Sequence, residues 1–452
     1  MRWLILPCET RSRELDAKLL LAVLAAARGI TSIVGSKKPI DLNLHRFDPA
    51  VYVGKSLTGR SRLSLTMPKL LGHKLAVWDE EGLVWASPEI YWRTKIHGPN
   101  LNLPSLLIAW GEANAAAWRD HPDYSDTPIA LAGNPRTDLL RPVFRSCFDD
   151  ELNAIRQRHG RFVLINTNFS RVNHYQPRQN RHLKWLREGG SGHSRAGFAR
   201  HKWELYNAFL ATLPDLIRAL PSTCFVLRPH PSENRAVWDE LAAGLPNLAI
   251  DREGNVVPWL MAADAVIHNG CTTAIEACQL ECPAIAYRPV VSDQYDHPLP
   301  NGISLEARNV AELADRVAAC IQDRTGSFRD QIEDPARRAL LNRALATFDA
   351  PELASERILD ALQPLLACDV EGSELTAARL VLYGRRLVAG ISRHIPGTAN
   401  YQPYIAHMFP PTDDTEVQYR VNRLARCLGL AAVPKVSPLL ADVFQIQPGF
   451  VS

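Results

Sequence analysis

The sequence predicts an α/β protein made of two successive doubly wound domains followed by a mostly helical tail. Short apolar runs alternate with helical stretches along most of residues 1–320, the pattern of βαβ units and parallel sheets. At 452 residues the chain exceeds what one ordinary core holds. The alternation weakens over 134–160, in NPRTDLLRPVF and the charged DDELNAIRQRHGR, and restarts at RFVLIN. Domains are therefore expected over 1–145 and 146–335, with a helical extension over 336–452.

Each element has its own reason. RWLIL (2–6) reads as the first strand, ELDAKLLLAVLAAAR (14–28) as a helix stopped by Gly29, and TSIVG (31–35) as the next strand. KLAVW (74–78), SLLIA (105–109) and PIALA (128–132) continue the series. A short strand also precedes VGKS, which places Lys55 at its end. The second series runs from the strand in RFVLIN through helix 202–218, strand 223–228, helix 233–243, strand 247–250 and helix 256–262. It ends with strand 264–268, helix 272–280, strand 283–287 and helix 309–322. A polar stretch over roughly 170–199, with SRVNHYQPRQNRH and GGSGHSRAG, reads as a mobile loop or lid. Beyond 335 the expected helices include 376–395 and 414–428, separated by PYIAHMFPPT.

Composition excludes several classes. Hydrophobic content of 46% and charged content of 22% describe a globular protein, and 51 basic against 48 acidic residues give no nucleic-acid footprint. No apolar run is long enough to span a bilayer, and MRWLILPCETRSRELD has too short an apolar core for a signal peptide. The nine cysteines form no CxxC pair, and Cys278 and Cys282 stand one helical turn apart without a His/Cys set nearby. Reduced thiols, a cytoplasmic location and no zinc site are expected. No paired aspartates at a strand end suggest an obligatory divalent ion, and no cofactor is expected.

In an open parallel sheet ligands sit at the carboxyl ends of strands, facing helix N-termini. AVIHNGCTTAIEA (265–277) has that form: an apolar run ending at His268, then Asn269, Gly270, Cys271, Thr272 and Thr273, then a helix. Gly270 allows close backbone approach and Thr272 or Thr273 can cap the helix. Glu276, one turn in, can accept from ribose hydroxyls or merely favour the helix start. LRPHPSENR (227–235) brings Arg228 and His230 to another strand end, with Ser232 as a cap. That set suits a phosphodiester, and a proline-terminated turn fits it equally. Together the segments make a nucleotide cradle. LINTNFSRVN offers Asn166, Thr167 and Asn168, either to hold substrate hydroxyls or to form an Asx turn. WDEEG (78–82) places Asp79, Glu80 and Glu81 at a strand end, as a solvated turn or as a catalytic one. Arg13, Glu14 and Lys18 near the first helix start, and Lys55, are weaker candidates that ordinary surface charge also explains.

RPHP followed by DAVIHNGCTTAIEACQLECPAIAY (264–287) resembles the C-terminal half of GT-B glycosyltransferases of bacterial surface polysaccharides. It is most similar to the capsule-synthesis Kdo transferases and the surface carbohydrate biosynthesis family. Teichoic acid glycerophosphotransferases and UDP-sugar 2-epimerases share the layout. GNPRTD (133–138), ETRSRELDAKLLLA (9–22) and WDEEGLVW (78–85) extend the likeness over most of 1–320. The resemblance implies a GT-B fold, two Rossmann-like domains facing a cleft, with C-terminal helices packed outside. It implies a metal-independent transferase moving a sugar, such as the ulosonic acid Kdo, from a CMP- or UDP-linked donor to an acceptor glycan or glycolipid. That places the chain in the cytoplasm at the inner face of the membrane, beside membrane assembly machinery. In this light Glu80, which keeps a Glu-x-Gly spacing, is the base and Glu81 the neighbour that tunes it. Arg228, His230, His268, Asn269, Gly270, Thr272, Thr273 and Glu276 would hold the donor, with Asn166, Thr167, Asn168, Arg13 and Lys55 as further substrate contacts. One departure stands out: retaining Kdo transferases carry a nucleophilic aspartate where this chain has Asn166 and Asn168. A UDP-sugar epimerase or hydrolase, and a non-catalytic nucleotide-sugar-binding partner, are the alternatives.

Overall fold

A computed structural model describes residues 3–188, 195–368, 375–398 and 400–449. The chain divides into two compact units, the first comprising Met1–Leu83, Pro88–Cys147 and Asn342–Ser452. The second comprises Val84–Ser87 and Phe148–Leu341.

The first unit holds β1 (Trp3–Cys8), β2 (Thr31–Ser36), β3 (Val51–Gly54), β4 (Lys74–Trp78), β5 (Leu106–Ala109) and β6 (Ile129–Leu131). They lie parallel in the order β2-β1-β3-β4-β5-β6. The strands read as unbroken apolar runs because the central ones are covered on both faces. The winding direction reverses between β1 and β3, the switch point at which such sheets bind ligands. Helix Arg11–Ala27 follows β1 and buries almost every residue from Glu14 to Ala26. It can be apolar all round because helices Ala354–Ala367 and Asp414–Cys427 from the tail pack against it. Asp138 of the GNPRTD turn is fully buried and accepts from the Ala354 and Ser355 amides at 2.7 and 2.8 Å. That carboxylate caps the returning tail helix.

The second unit holds β7 (Phe162–Asn166), β8 (Cys224–Arg228), β9 (Leu248–Ile250), β10 (Ala265–His268), β11 (Ala284–Tyr287) and β12 (Leu305–Ala307). All are parallel, in the order β12-β11-β10-β7-β8-β9. Counted within the unit this is the 3-2-1-4-5-6 winding of dinucleotide-binding sheets, whose switch point lies between β7 and β10. Ile165, Leu227, Ile267 and Ile285 form its core with Leu205, Phe209, Leu213 and Leu216 of helix Arg195–Ala219.

Several elements differ from the sequence expectation, among them β12, which was not expected. The tail is not helical throughout: β13 (Lys435–Leu440) and β14 (Val443–Gln447) form a hairpin that adds antiparallel to β2. Gly35 permits that docking, since a Cβ there would lie 2.1 Å from the Asp442 carbonyl oxygen. The stretch expected as a loop over 170–199 is largely helical, with Arg181–Glu188 and a helix that begins at Arg195 rather than 202. Residues 189–194 of that stretch lie outside the described residues. No described helix is long and apolar enough to cross a membrane.

Candidate functional site

In the first unit, charged groups gather at the carboxyl ends of β1, β3 and β4. Glu14 accepts from the amides of Glu9 and Thr10 at 3.1 and 3.3 Å and from Lys18 and Lys55, each at 2.7 Å. Lys18, 1% exposed, also donates to the Pro7 carbonyl at 2.6 Å and lies 3.3 Å from Glu80 Oε1. Lys55 also reaches Glu9 at 2.8 Å. Burial opposes the charge on Glu14, but Lys18 and Lys55 override it and hold the carboxyl well below its usual range. Burial likewise opposes the charge on both lysines, and Glu14 and its neighbours raise them above the ordinary lysine value. Arg13 stands half-buried in the first turn of the same helix.

The WDEEG turn sends its three carboxylates in different directions. Asp79 is buried, accepts from Tyr91 Oη at 2.8 Å and from the Glu81 amide at 3.1 Å, and is pushed up to about 6 by burial. It anchors the turn. Glu80 points inward: Oε1 accepts from Trp78 Nε1 at 2.9 Å, while Oε2 is buried with no hydrogen-bond partner among the described residues. Glu81 is exposed and pairs with Lys95. The charged neighbour that Glu80 meets is Lys18, while Glu81 is drawn to Lys95.

In the second unit, β7 and β10 pair so that Asn166 stands opposite His268 at the switch point. Asn166 Nδ2 donates to Thr273 Oγ1 at 2.7 Å. His268 is fully buried; Nδ1 accepts from the Gly270 amide at 3.0 Å, and Nε2 lies 2.8 Å from Ser304 Oγ. The Ser304 hydroxyl is spent on the Pro300 carbonyl at 2.7 Å, so Nε2 is the donor. Burial pushes the imidazole down to about 3 and keeps it neutral. His268 thus shapes the loop through both ring nitrogens. Gly270 takes φ 81°, a left-handed conformation that favours glycine, and its carbonyl meets His297 Nδ1 at 2.5 Å. Asn269, 4% exposed, is the exception in this well-bonded loop: neither Nδ2 nor Oδ1 has a partner among the described residues. Thr272 occupies the N-cap position of helix Thr273–Gln279 in a helical conformation and makes no capping bond. Glu276 is half-buried one turn in.

Arg228 ends β8 and is nearly buried. It donates to the carbonyls of Glu253 and Gly254 at 2.9 and 2.5 Å and lies 5.5 Å from the Trp259 ring centre. Burial lowers its pKa to about 10, which Asp251 and Glu276 partly oppose. Its guanidinium pins the loop after β9. His230 Nδ1 accepts from the Ser232 amide at 3.2 Å, and the next helix starts only at Ala236, so Ser232 caps nothing there. Glu233 is fully buried and collects Thr167 Oγ1 at 3.0 Å, the Phe169 amide at 2.9 Å, the His230 amide at 3.2 Å and Trp238 Nε1 at 3.1 Å. Burial outweighs these donors and pushes it up to about 7. Thr167 is thereby committed inward, while Asn168 is exposed.

Two groups escaped the sequence reading. Lys202, on helix Arg195–Ala219, forms no ion pair among the described residues and is pushed down to about 8 by burial, with Asp296 and Cys271 countering. Asp296 is taken by His201 and Arg288 at 2.9 and 2.6 Å. His297, which holds Gly270, is pushed down to about 3 by burial and by Lys202. Neither residue falls at the end of a strand: Lys202 lies inside a helix and His297 at the N-cap of helix Pro298–Gly302.

No protein-family model and no curated protein matches the chain. Among solved structures, the wall teichoic acid polymerase TagF is similar at 12% identity over 80% of this chain and 89% of that one, with a TM-score of 0.53. The H548A form of TagF gives 13% identity over 80% and 88%, with a TM-score of 0.52. A protein described as a UDP-N-acetylglucosamine 2-epimerase from Listeria monocytogenes gives 13% over 82% and 98%, with a TM-score of 0.50. The fold is GT-B. Its two Rossmann-like domains are the two units above. Likenesses at these identities show the fold alone; chemistry has to be argued from the residues.

Proposed function

We propose that this chain is a glycosyltransferase of bacterial surface polysaccharide assembly that takes its donor from a nucleotide-activated sugar. The observation that carries the reading is Asn269. A buried amide with both polar atoms unpaired, at the switch point of a 3-2-1-4-5-6 sheet, is what a site waiting for a polar ligand leaves behind. Asn269, Thr272 and Lys202 would meet the donor phosphates, Glu276 the ribose, and Asn166 and Asn168 sugar hydroxyls. Arg228, His230 and His268 would serve mainly by holding the loops that form the cradle. The donor is CMP- or UDP-linked and the sugar an ulosonic acid such as Kdo; the acceptor is a glycan or glycolipid.

Glu80 is the base in this reading. Its Oε1 is fixed by Trp78 and Lys18, which leaves Oε2 to take the proton of an acceptor hydroxyl. The acceptor oxygen then attacks the anomeric carbon as the bond to the nucleotide phosphate breaks. Charge on the leaving phosphate falls to Lys202 and the Asn269 amide. Asn166 cannot form a glycosyl adduct, so the reading is direct displacement. A UDP-sugar epimerase or hydrolase is the second reading, favoured by the fold shared with the Listeria protein and by a cradle that needs no acceptor.

A thermal-shift panel of CMP, UDP, GDP and CDP tests the cradle, because a ligand that binds only the native state raises apparent stability. Product analysis with the matching donor and an acceptor glycan then separates transfer from epimerisation. Glu80→Gln should keep nucleotide stabilisation and lower turnover about 10²–10⁴-fold. No shift with any nucleotide refutes the reading. A shift without turnover would make the chain a binding partner.

A further inference from the structure

We propose that helix Leu375–Ser392 and the turn reaching Ile395 form a docking surface that lies in the plane of an anionic lipid bilayer. The helix is fixed to the first unit along one edge: Ala378 and Leu382 are buried, and it packs on helices Lys37–Asn43 and Arg62–Leu70. Tyr383 meets His45 with ring centres 5.2 Å apart. The opposite face is apolar and uncovered: Leu380 is 66% exposed, Leu387 70%, Val388 60% and Ile391 74%, with Ile395 50% exposed just beyond. At about 100° per residue the four helical positions fall within an arc of roughly 100°, a single stripe. Water-facing helices of globular proteins carry polar residues there; this one places its polar groups elsewhere.

Those groups decide the occupant. From Leu375 to Thr412 the chain has four arginines, Arg379, Arg385, Arg386 and Arg393, and no Asp, Glu or Lys. This run alone carries +4, more than the +3 of the whole chain. Arg379 and Arg386, both exposed, project at about 130–150° from the centre line of the stripe, on the polar side of the helix, from which long side chains reach phosphate headgroups while the apolar residues enter the acyl boundary. A second copy of the chain fits worse, because face-to-face pairing would bring two +4 surfaces together. The helix lies on the bilayer rather than through it, since no described helix is long and apolar enough to cross. A helix of 18 residues, about 27 Å long, offers one full stripe to the interface.

The test is flotation of the full chain with phosphatidylcholine vesicles, with and without phosphatidylglycerol. Phosphatidylglycerol vesicles should carry the protein, less so as salt rises, because the attraction fades beyond a Debye length. Leu387→Glu with Ile391→Glu should weaken binding at least tenfold. Arg379→Gln with Arg386→Gln should weaken it about 25-fold, near fivefold for each charge. All four positions are on the solvent-facing or flanking surface, so the melting curve should not move, and Leu387→Ser with Ile391→Ser provides a milder version. The proposal is overturned if both lipid mixtures carry the wild type equally, or if the glutamate variant floats like the wild type. It is also overturned if sedimentation shows a dimer that these substitutions dissolve and that vesicles do not compete away.

Discussion

Asn269→Ala should strengthen the ligand-free protein and weaken it as a receptor. A buried polar group left without a partner costs roughly 1–3 kcal/mol, and the Asn269 amide is one such group, unpaired at both of its polar atoms. Truncation removes that cost and leaves a void of roughly 25 Å³, which at ~24 cal/mol per Å³ amounts to about 0.6 kcal/mol. The variant should therefore gain about 0.5–2 kcal/mol, read as a higher urea midpoint at unchanged slope. With the nucleotide that stabilises the wild type, the lost hydrogen bonds should cost about 1.5–3 kcal/mol, a roughly 10- to 150-fold weaker Kd by calorimetry. Asn269→Asp sharpens the sign: a buried carboxylate beside a phosphate should abolish binding. If Asn269→Ala instead loses more than about 1 kcal/mol and binds nucleotide like the wild type, the amide is structural and the argument for the cradle fails.

Two further perturbations follow from the buried charges. Lys18→Met keeps the apolar stem and removes the cation between Glu14 and Glu80; it should cost about 3–5 kcal/mol in urea unfolding. Adding Glu14→Gln should return at least ~1 kcal/mol of that, and strict additivity of the two changes would show that the pair is not coupled. Glu233 is raised from 4.5 to about 7, so the folded state holds its proton where the unfolded chain has lost it. Its contribution is fully present below the unfolded value and is lost as pH rises through the folded one. Wild type relative to Glu233→Gln should accordingly lose about 2.5 kcal/mol between pH ~5 and ~8, and a flat difference would contradict the burial argument.

How far the fold could be read depended on whether each signal was local. Strands buried on both faces announce themselves as apolar runs, which is why KLAVW coincides with β4 and β7 to β11 fall within a residue or two of expectation, whereas the three-residue β12 at the sheet edge was not expected. The β13–β14 hairpin has no such run: Pro438 interrupts one strand, glutamines break up the other (VFQIQ), and its place is set by the β2 edge and the opening at Gly35, some 400 residues earlier. The start of helix Arg195–Ala219 was hidden in a Gly-, Ser- and Arg-rich stretch. At the candidate sites, strand-end position singled out Glu80 and Asn269 as candidates. It did not say where Arg228 points, because the Glu253 and Gly254 carbonyls that claim its guanidinium belong to another loop.

The Glu14–Lys18 pair shows that some of this missing information was nevertheless present. Carboxylate and lysine four apart on a helix ordinarily mean a solvated surface pair worth a few tenths of a kcal/mol. Here the surrounding sequence, LDAKLLLAVLAAA, leaves no polar stripe on which such a pair could be solvated. A helix without a wet face must be covered on more than one side, and the tail is long enough to supply the outer cover. It does so, with helix Asp414–Cys427 packed on it and Arg420 on Asp16 at 2.5 Å. A charge pair within such a helix is then forced inward to the strand ends, where it finds the Pro7 carbonyl, Lys55 and Glu80. The apolar run that makes the helix buried is thus the same feature that draws its two charges into the cluster at the strand ends.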